Sequence, residues 1–194
     1  MLKKDQKVIF LKGKKVNLRP LEKSDLPHLY RWINDPDVRH FVIGTFPQTM
    51  TQEEKWLEKH DANDKDIILM IETKTGQPIG TMGLHRIEWK DRIATTGAMI
   101  GEREYWGGGY GTDAKMILLD YAFNTLNMRK MCSATYSYNK RSLHYSLHCG
   151  YKIEGRRRRH IFKKGRYWDL IELGLFKEEW SPIWKKYKKT GKLK

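Results

Sequence analysis

Residues 104 to 114, EYWGGGYGTDA, bring four glycines together directly before a run with helical periodicity. Glycine is conformationally costly and is kept where the chain needs positive φ or where a ligand must approach the backbone closely. At a helix entrance, N–H groups without intrahelical acceptors and the positive end of the macrodipole attract phosphate. Two familiar phosphate frameworks do not account for the stretch. A P-loop needs Gly-Lys-Ser/Thr, which occurs nowhere in the chain. The dinucleotide fingerprint is matched by Gly109-x-Gly111-x-x-Ala114, but the acidic residue expected about twenty positions later is missing from the following KMCSATY.

Other chemistry is limited by composition. Cys132 and Cys149 are the only cysteines, which leaves neither a disulfide framework nor a zinc site of paired cysteines; both read as buried, reduced thiols. The net charge of +15 is concentrated: Lys152 to Lys194 hold fifteen Lys/Arg against five Asp/Glu, +10 of the total, mostly in GRRRRH (155 to 160) and the tail KKYKKTGKLK. Such a field draws polyanions, so RNA, the ribosome or an acidic partner is a candidate contact for this quarter, with a merely solvated basic face as the alternative. Tyr167, Trp168 and Tyr187 interleave with these charges as stacking platforms. No window approaches the roughly 18 consecutive apolar residues of a membrane span, and the basic N-terminus lacks the apolar stretch of a signal peptide, which points to the cytoplasm.

The elements that position these residues follow from periodicity. Val16 and Leu18 open a strand. A helix capped by Ser24 carries Leu26, Leu29, Tyr30 and Ile33 and ends at Asn34-Asp35-Pro36. TQEEKWLEKH starts a second helix with a Thr51/Glu54 capping box. DIILMIETKTGQPIGTMGLHRIEW reads as two strands about a turn at Lys74 to Gln77, and IATTGAMIG as a third. After the glycines, Ala114, Ile117, Leu118, Tyr121 and Ala122 form one helical stripe. KMCSATY is a strand, NKRSLHYSLHCG a helix stopped by Gly150, and the final segment a hairpin turning at Lys164-Gly165, with the chain frayed from Lys185. The order β-α-α-β-β-β-α-β-α-β-β describes one α/β domain with a mixed sheet.

With that order in place, the glycine segment resembles the pyrophosphate-binding motif of the GNAT superfamily of acyl-CoA-dependent N-acetyltransferases. The family's Gln/Arg-x-x-Gly-x-Gly/Ala corresponds to Trp106-Gly107-Gly108-Gly109-Tyr110-Gly111, with tryptophan in place of the usual Gln/Arg. Asn139 to Tyr151 resembles the superfamily's second signature, an asparagine ending a strand and a helix closing on Gly-aromatic, here Gly150-Tyr151. The opening LRPLEKSDLPHLYRWINDPDV and the closing hairpin are similar to the branch containing the ribosomal-protein N-acetyltransferases RimJ and RimL. Relatives of that branch acetylate spermidine or aminoglycosides.

The resemblance implies a single α/β (α+β) domain over residues 14–180, with an extension at 1–13 and a basic tail at 181–194. Its sheet is mixed, mostly antiparallel, flanked by helices and splayed between the fourth and fifth strands. It implies acetyl-CoA as cosubstrate and no metal. The cosubstrate would be held by Met99, Ile100, Trp106, Gly107, Gly108, Gly109, Tyr110, Gly111, Thr112, Asn139, Ser142 and Tyr145.

For the chemistry, many members place a tyrosine acid seven residues after the asparagine, where this chain has Ser146; Tyr145 is one place earlier, about 100° around the helix. Ser142 and Ser146 are the candidates for the acid. Where relatives carry a basic glutamate, this chain has Thr95-Thr96, so His85, with Glu88 nearby, is the candidate base. The favoured acceptor is a protein or peptide N-terminal amine. The alternatives are a polyamine or aminoglycoside, for which Asp35, Asp37, Glu53 and Glu54 could build a cationic pocket, and a non-catalytic acyl-CoA sensor. A pocket lined by Arg rather than Asp/Glu would sink the hypothesis of a cationic pocket. A homodimer is a family-level expectation.

Overall fold

The computed structural model describes residues 8–42, 44, 46–61 and 64–193. Expectations that fall on residues 1–7 and on Lys194 lie outside the described residues. Among the described residues there are eight strands, paired antiparallel except at one place, and the chain divides into two compact units. The first holds residues 1–84 and 98–118, the second residues 85–97 and 119–194.

In the first unit, β1 (Leu11–Lys12), β2 (Val16–Pro20), β3 (Ile67–Thr73) and the start of β4 (Pro78–Glu88) are antiparallel neighbours, with Leu18 opposite Ile71 and Ile71 opposite Gly80. The turn at Lys74 to Gln77 joins β3 to β4 as the sequence implies. Helix α1 (Leu26–Asn34) buries Leu26, Leu29 and Trp32. Leu29 and Trp32 pack with Met70, Leu21 and Met99 into one core cluster. The buried stripe is therefore rotated from the expected one, since Tyr30 is exposed and Ile33 half-buried. Ser24 is not the cap either. It sits inside a 3-10 turn, Lys23–Asp25, whose capping box is reciprocal between Glu22 and Asp25.

Asp35 ends α1 and caps the short α2 (Pro36–Arg39) by accepting the N–H groups of Asp37 and Val38. The capping box of α3 (Met50–Asp61) is Thr49 with Gln52, two positions before the expected pair: the Thr49 N–H donates to Gln52 Oε1 (2.8 Å) and the Gln52 N–H to Thr49 Oγ1 (3.2 Å). Beneath α1, Arg19 of β2 is 1% exposed and donates to Asp25 (2.7 Å to each oxygen) and to Glu72 (2.5 Å). This buried ion triad ties three chain segments together.

In the second unit, β5 (Ile93–Ile100), which ends in the first unit, pairs in parallel with β6 (Lys130–Tyr136). The register covers only Ile93–Thr95 against Lys130–Cys132, although β6 runs on to Tyr136. These are the fourth and fifth strands of the sequence reading, and the short register agrees with the expected splay. On its other side β6 pairs antiparallel along its whole length with β8 (Arg166–Phe176), and β7 (Lys152–Lys163) pairs with β8. Helix α5 (Lys140–His148) packs on β6.

Helix α4 (Tyr110–Asp120) continues into a π-helical turn at Tyr121–Thr125. It is buried without a break from Asp113 to Leu119, so the expected apolar stripe understates it. The end of the chain also departs from expectation. Instead of fraying from Lys185, residues Lys177–Thr190 form α6, which rests on β8 with Trp180 (1% exposed) and Tyr187 (5%) buried. Trp180, Trp184 and Tyr187 stack in succession along it, and burial of these rings outweighs the repulsion of the surrounding lysines.

Candidate active site

The glycine segment lies wholly in the first unit. A 3-10 turn at Arg103–Tyr105 leads into it, and Gly107 and Gly109 take φ of +79° and +81°. Only glycine adopts that region without strain, so these two positions shape the turn that aims successive N–H groups past the entrance of α4. A Cβ on Gly107 would meet nothing within 4 Å, so the approach to the backbone is open. The segment fits a diphosphate on these grounds.

Two residues that no local pattern reveals hold this turn. Asp113, fully buried, accepts the N–H groups of Lys15 (2.6 Å) and Val16 (2.9 Å), locking the first turn of α4 to the start of β2. Lys15 in turn donates from Nζ to the carbonyl of Gly108 (2.7 Å) and lies 5.5 Å from the centre of the Tyr110 ring. A cation therefore stands at the glycines, where the sequence promised only backbone N–H groups.

Trp106 acts through its side chain as well as its backbone. Its Nε1 donates to the carbonyl of Ile100 (2.8 Å), tying the end of β5 to the glycine turn, and its ring meets Phe41 edge-on. The Ile100 carbonyl thus accepts one hydrogen bond within the fold. Met99 is half-buried, and its carbonyl presses on Gly80 so closely that no Cβ fits there.

In the second unit, Asn139 (8% exposed) caps α5 by accepting the Ser142 N–H at 3.0 Å. Ser142 is half-buried, while Ser146 is 1% exposed. The Tyr145 hydroxyl is buried, and burial, with Cys149 and Tyr151 adding to it, pushes its pKa well up. Where relatives carry glutamate, Thr95 is half-buried and Thr96 faces inward, its hydroxyl 2.8 Å from that of Tyr151. Burial raises the pKa of Tyr151, so this pair is a neutral hydroxyl bridge and not a base. His85 is half-buried against the backbone of Gly97, where an added Cβ would lie 2.8 Å from its Nε2. Glu88 is exposed.

A cavity of about 500 Å³ in the same unit is lined by Tyr138, Trp168, Lys140, Arg156 and Asp169 among others. Asp169 is already committed: it accepts the Arg159 N–H (2.7 Å) and Arg156 Nε (2.5 Å), contacts that hold its carboxyl below the usual range. The acidic residues marked for a cationic pocket divide. Asp35 is a helix cap and Asp37 pairs with Arg103. Glu54 is exposed, but Glu53 is 9% exposed, its carboxylate has no hydrogen bond or ion pair among the described residues, and its pKa is raised by burial alone.

Cys149 is buried and Cys132 half-buried, with burial pushing the Cys132 thiol up. Among the described residues no group of three His, Cys, Asp or Glu could hold a metal ion, and no helix is long and apolar enough to cross a membrane.

Comparison with known proteins gives this arrangement its class. Residues 15–152 match the acetyltransferase (GNAT) domain, and the chain belongs to that family. It is accordingly an acetyl-CoA-dependent N-acetyltransferase, with acetyl-CoA as cosubstrate. Spermidine N(1)-acetyltransferase of Escherichia coli K12 is 26% identical over 165 residues, covering 85% of this chain and 88% of the relative. A putative ribosomal N-acetyltransferase of Bacillus subtilis, YdaF, is 30% identical over 106 residues, 55% of this chain and 57% of the relative. The fold is shared with a crystal structure of spermidine N-acetyltransferase from Vibrio cholerae in complex with CoA and spermine. That likeness has a TM-score of 0.82 and 23% identity over 87% of this chain and 99% of that one.

Proposed function

We propose that the acceptor is a polyamine, so that the chain moves an acetyl group from acetyl-CoA to a primary amine of a spermidine-like molecule. This replaces the protein N-terminal amine favoured by the sequence. The observation that carries it is Glu53, a residue 9% exposed whose carboxylate has no counter-charge among the described residues, which the ammonium of a polyamine would neutralise. The spermidine-acetylating relatives support the same reading along most of the chain, whereas the ribosomal relative, and with it the RimJ/RimL branch, is matched over about half.

In the transfer, the ammonium first loses one proton to become the attacking amine; its nitrogen then bonds to the thioester carbon as the carbon–sulfur bond breaks, the nitrogen losing a second proton as the amide forms and the departing thiolate gaining one. The glycine turn and Lys15 would hold the diphosphate, with Trp106 fixing the end of β5. Asn139 would position Ser142, and His85 would take the proton from the amine. Ser142 suits the role of donor to the leaving sulfur better than Ser146, because a proton donor must be reached by the group it serves. Ser142→Ala should lower kcat by about 10-fold or more with little change in melting temperature. Ser146→Ala should instead lower the melting temperature. The reverse pattern would move the role to Ser146.

Glu53 tests the acceptor. A carboxyl whose folded pKa is raised binds more protons folded than unfolded, so its contribution to stability declines as pH rises from the unfolded pKa through the folded one. Glu53→Gln should abolish that dependence and raise the melting temperature at neutral pH. Spermidine should stabilise the wild type and not Glu53→Gln. Equal stabilisation of both would remove Glu53 from the acceptor site.

A second reading keeps the N-terminal amine, on one observation: Arg156 and Asp169 in the lining of the 500 Å³ cavity neutralise each other, which leaves Lys140 as the unbalanced charge of that lining and suits a peptide with an acidic side chain better than a polycation. Higher kcat/KM with an acidic N-terminal peptide than with spermidine would favour it.

A further inference from the structure

The strand β7 is exposed along nearly its whole length and forms the outer strand of its unit, so little of its sequence is explained by packing. Its register against β8 breaks between Arg157 and Ile161: Arg157 faces Leu170 and Ile161 faces Trp168, leaving Arg158, Arg159 and His160 opposite Asp169 alone. Arg159 has φ +50°, a strained value for a non-glycine residue, and its N–H is held by Asp169 Oδ1 at 2.7 Å. Bulges of this kind re-aim side chains away from the ladder. Arg156 and Arg157 are paired with Asp169 and Glu172, whereas Arg158, Arg159 and Lys164 form no ion pair among the described residues.

Beyond the bulge, Phe162 and Tyr167 lie directly opposite each other, with ring centroids 5.1 Å apart, and are 60% and 64% exposed. Two large exposed aromatic rings beside unpaired cations are costly to solvate and lie outside any core.

We infer that the β7–β8 hairpin is a docking surface for single-stranded nucleic acid, with the cations of the bulge and turn on the phosphates and the Phe162–Tyr167 pair stacking on unpaired bases. Charge complementarity selects a polyanion and disfavours a second copy of the chain, which would bring the same basic hairpin. The exposed ring pair selects unstacked bases over a duplex.

The test is binding of a fluorescein-labelled, mixed-sequence single-stranded RNA of about 15 nucleotides to the full chain across a salt series. Triple replacement of Arg158, Arg159 and Lys164 by Ala should flatten the log–log salt slope by roughly 2, at about 0.7 per phosphate contact. Phe162→Ala should weaken binding roughly 5- to 150-fold and leave the slope unchanged. Both variants carry exposed substitutions and should melt with the wild type. Wild-type affinity retained by both, no binding at low salt, or equal displacement of the RNA by polyglutamate would overturn the inference, the last marking an acidic-protein surface instead.

Discussion

Arg19→Met should lower the melting temperature by roughly 10 °C. The guanidinium is 1% exposed and its partners Asp25 and Glu72 have side chains 3% and 8% exposed, so none of the three charges has water as an alternative. Removing the cation leaves two buried carboxylates uncompensated, and breaking such a pair costs about 3–5 kcal/mol. At roughly 2–4 °C per kcal/mol for a chain of this length, that is the shift expected. Arg19→Lys should fall between, because an ammonium cannot reproduce the forked contact with both oxygens of Asp25. A shift below about 2 °C would mean that the triad adds little beyond an apolar replacement, as some buried ion pairs do.

Gly109→Val should raise the Kd for CoA about 100-fold, from the loss of one or two charge-assisted hydrogen bonds at about 1.5–3 kcal/mol each. The same change should cost the unliganded protein only about 1–3 kcal/mol of backbone strain. Gly109 has φ +81°, which a β-branched residue resists, while its Cβ would meet only Lys15, at an ordinary 3.6 Å from Nζ. The fold can absorb the side chain, but the N–H groups of the turn then point elsewhere. Lys15→Met is the companion variant and should weaken CoA binding less, because it removes one cation and leaves the turn intact. Both effects are read by titration calorimetry with CoA alone, independent of the acceptor.

What could be read from the chain depended on how far apart the partners lie. The turns at Lys74 to Gln77 and Lys164-Gly165, the stop at Gly150 and the glycine entrance of α4 are local signals, and the structure carries each where the residues imply. The start of α3 was ambiguous because Thr49/Gln52 and Thr51/Glu54 both have capping-box spacing, and only the geometry separates them. Helix α6 was hidden by lysine density, although Trp180, Trp184 and Tyr187 already stand at helical spacing. The contacts that build the site are a different matter. Asp113 bonds to a residue 98 positions away and Arg19 to one 53 away, and nothing in either neighbourhood advertises the partner. Similarly, Glu53 looks like one of several helix-surface carboxylates until its burial is known.

The central claim, acetyl transfer to a polyamine, is tested most directly by CoA release from acetyl-CoA with spermidine as acceptor, compared in the wild type, Gly109→Val and Glu53→Gln. The account predicts spermidine-dependent CoA release and an acetylated polyamine in the wild type, loss through a raised KM for acetyl-CoA in Gly109→Val, and a raised KM for spermidine in Glu53→Gln. Release that spermidine does not stimulate, but an N-terminal peptide does, would contradict it and return the acceptor to a protein amine.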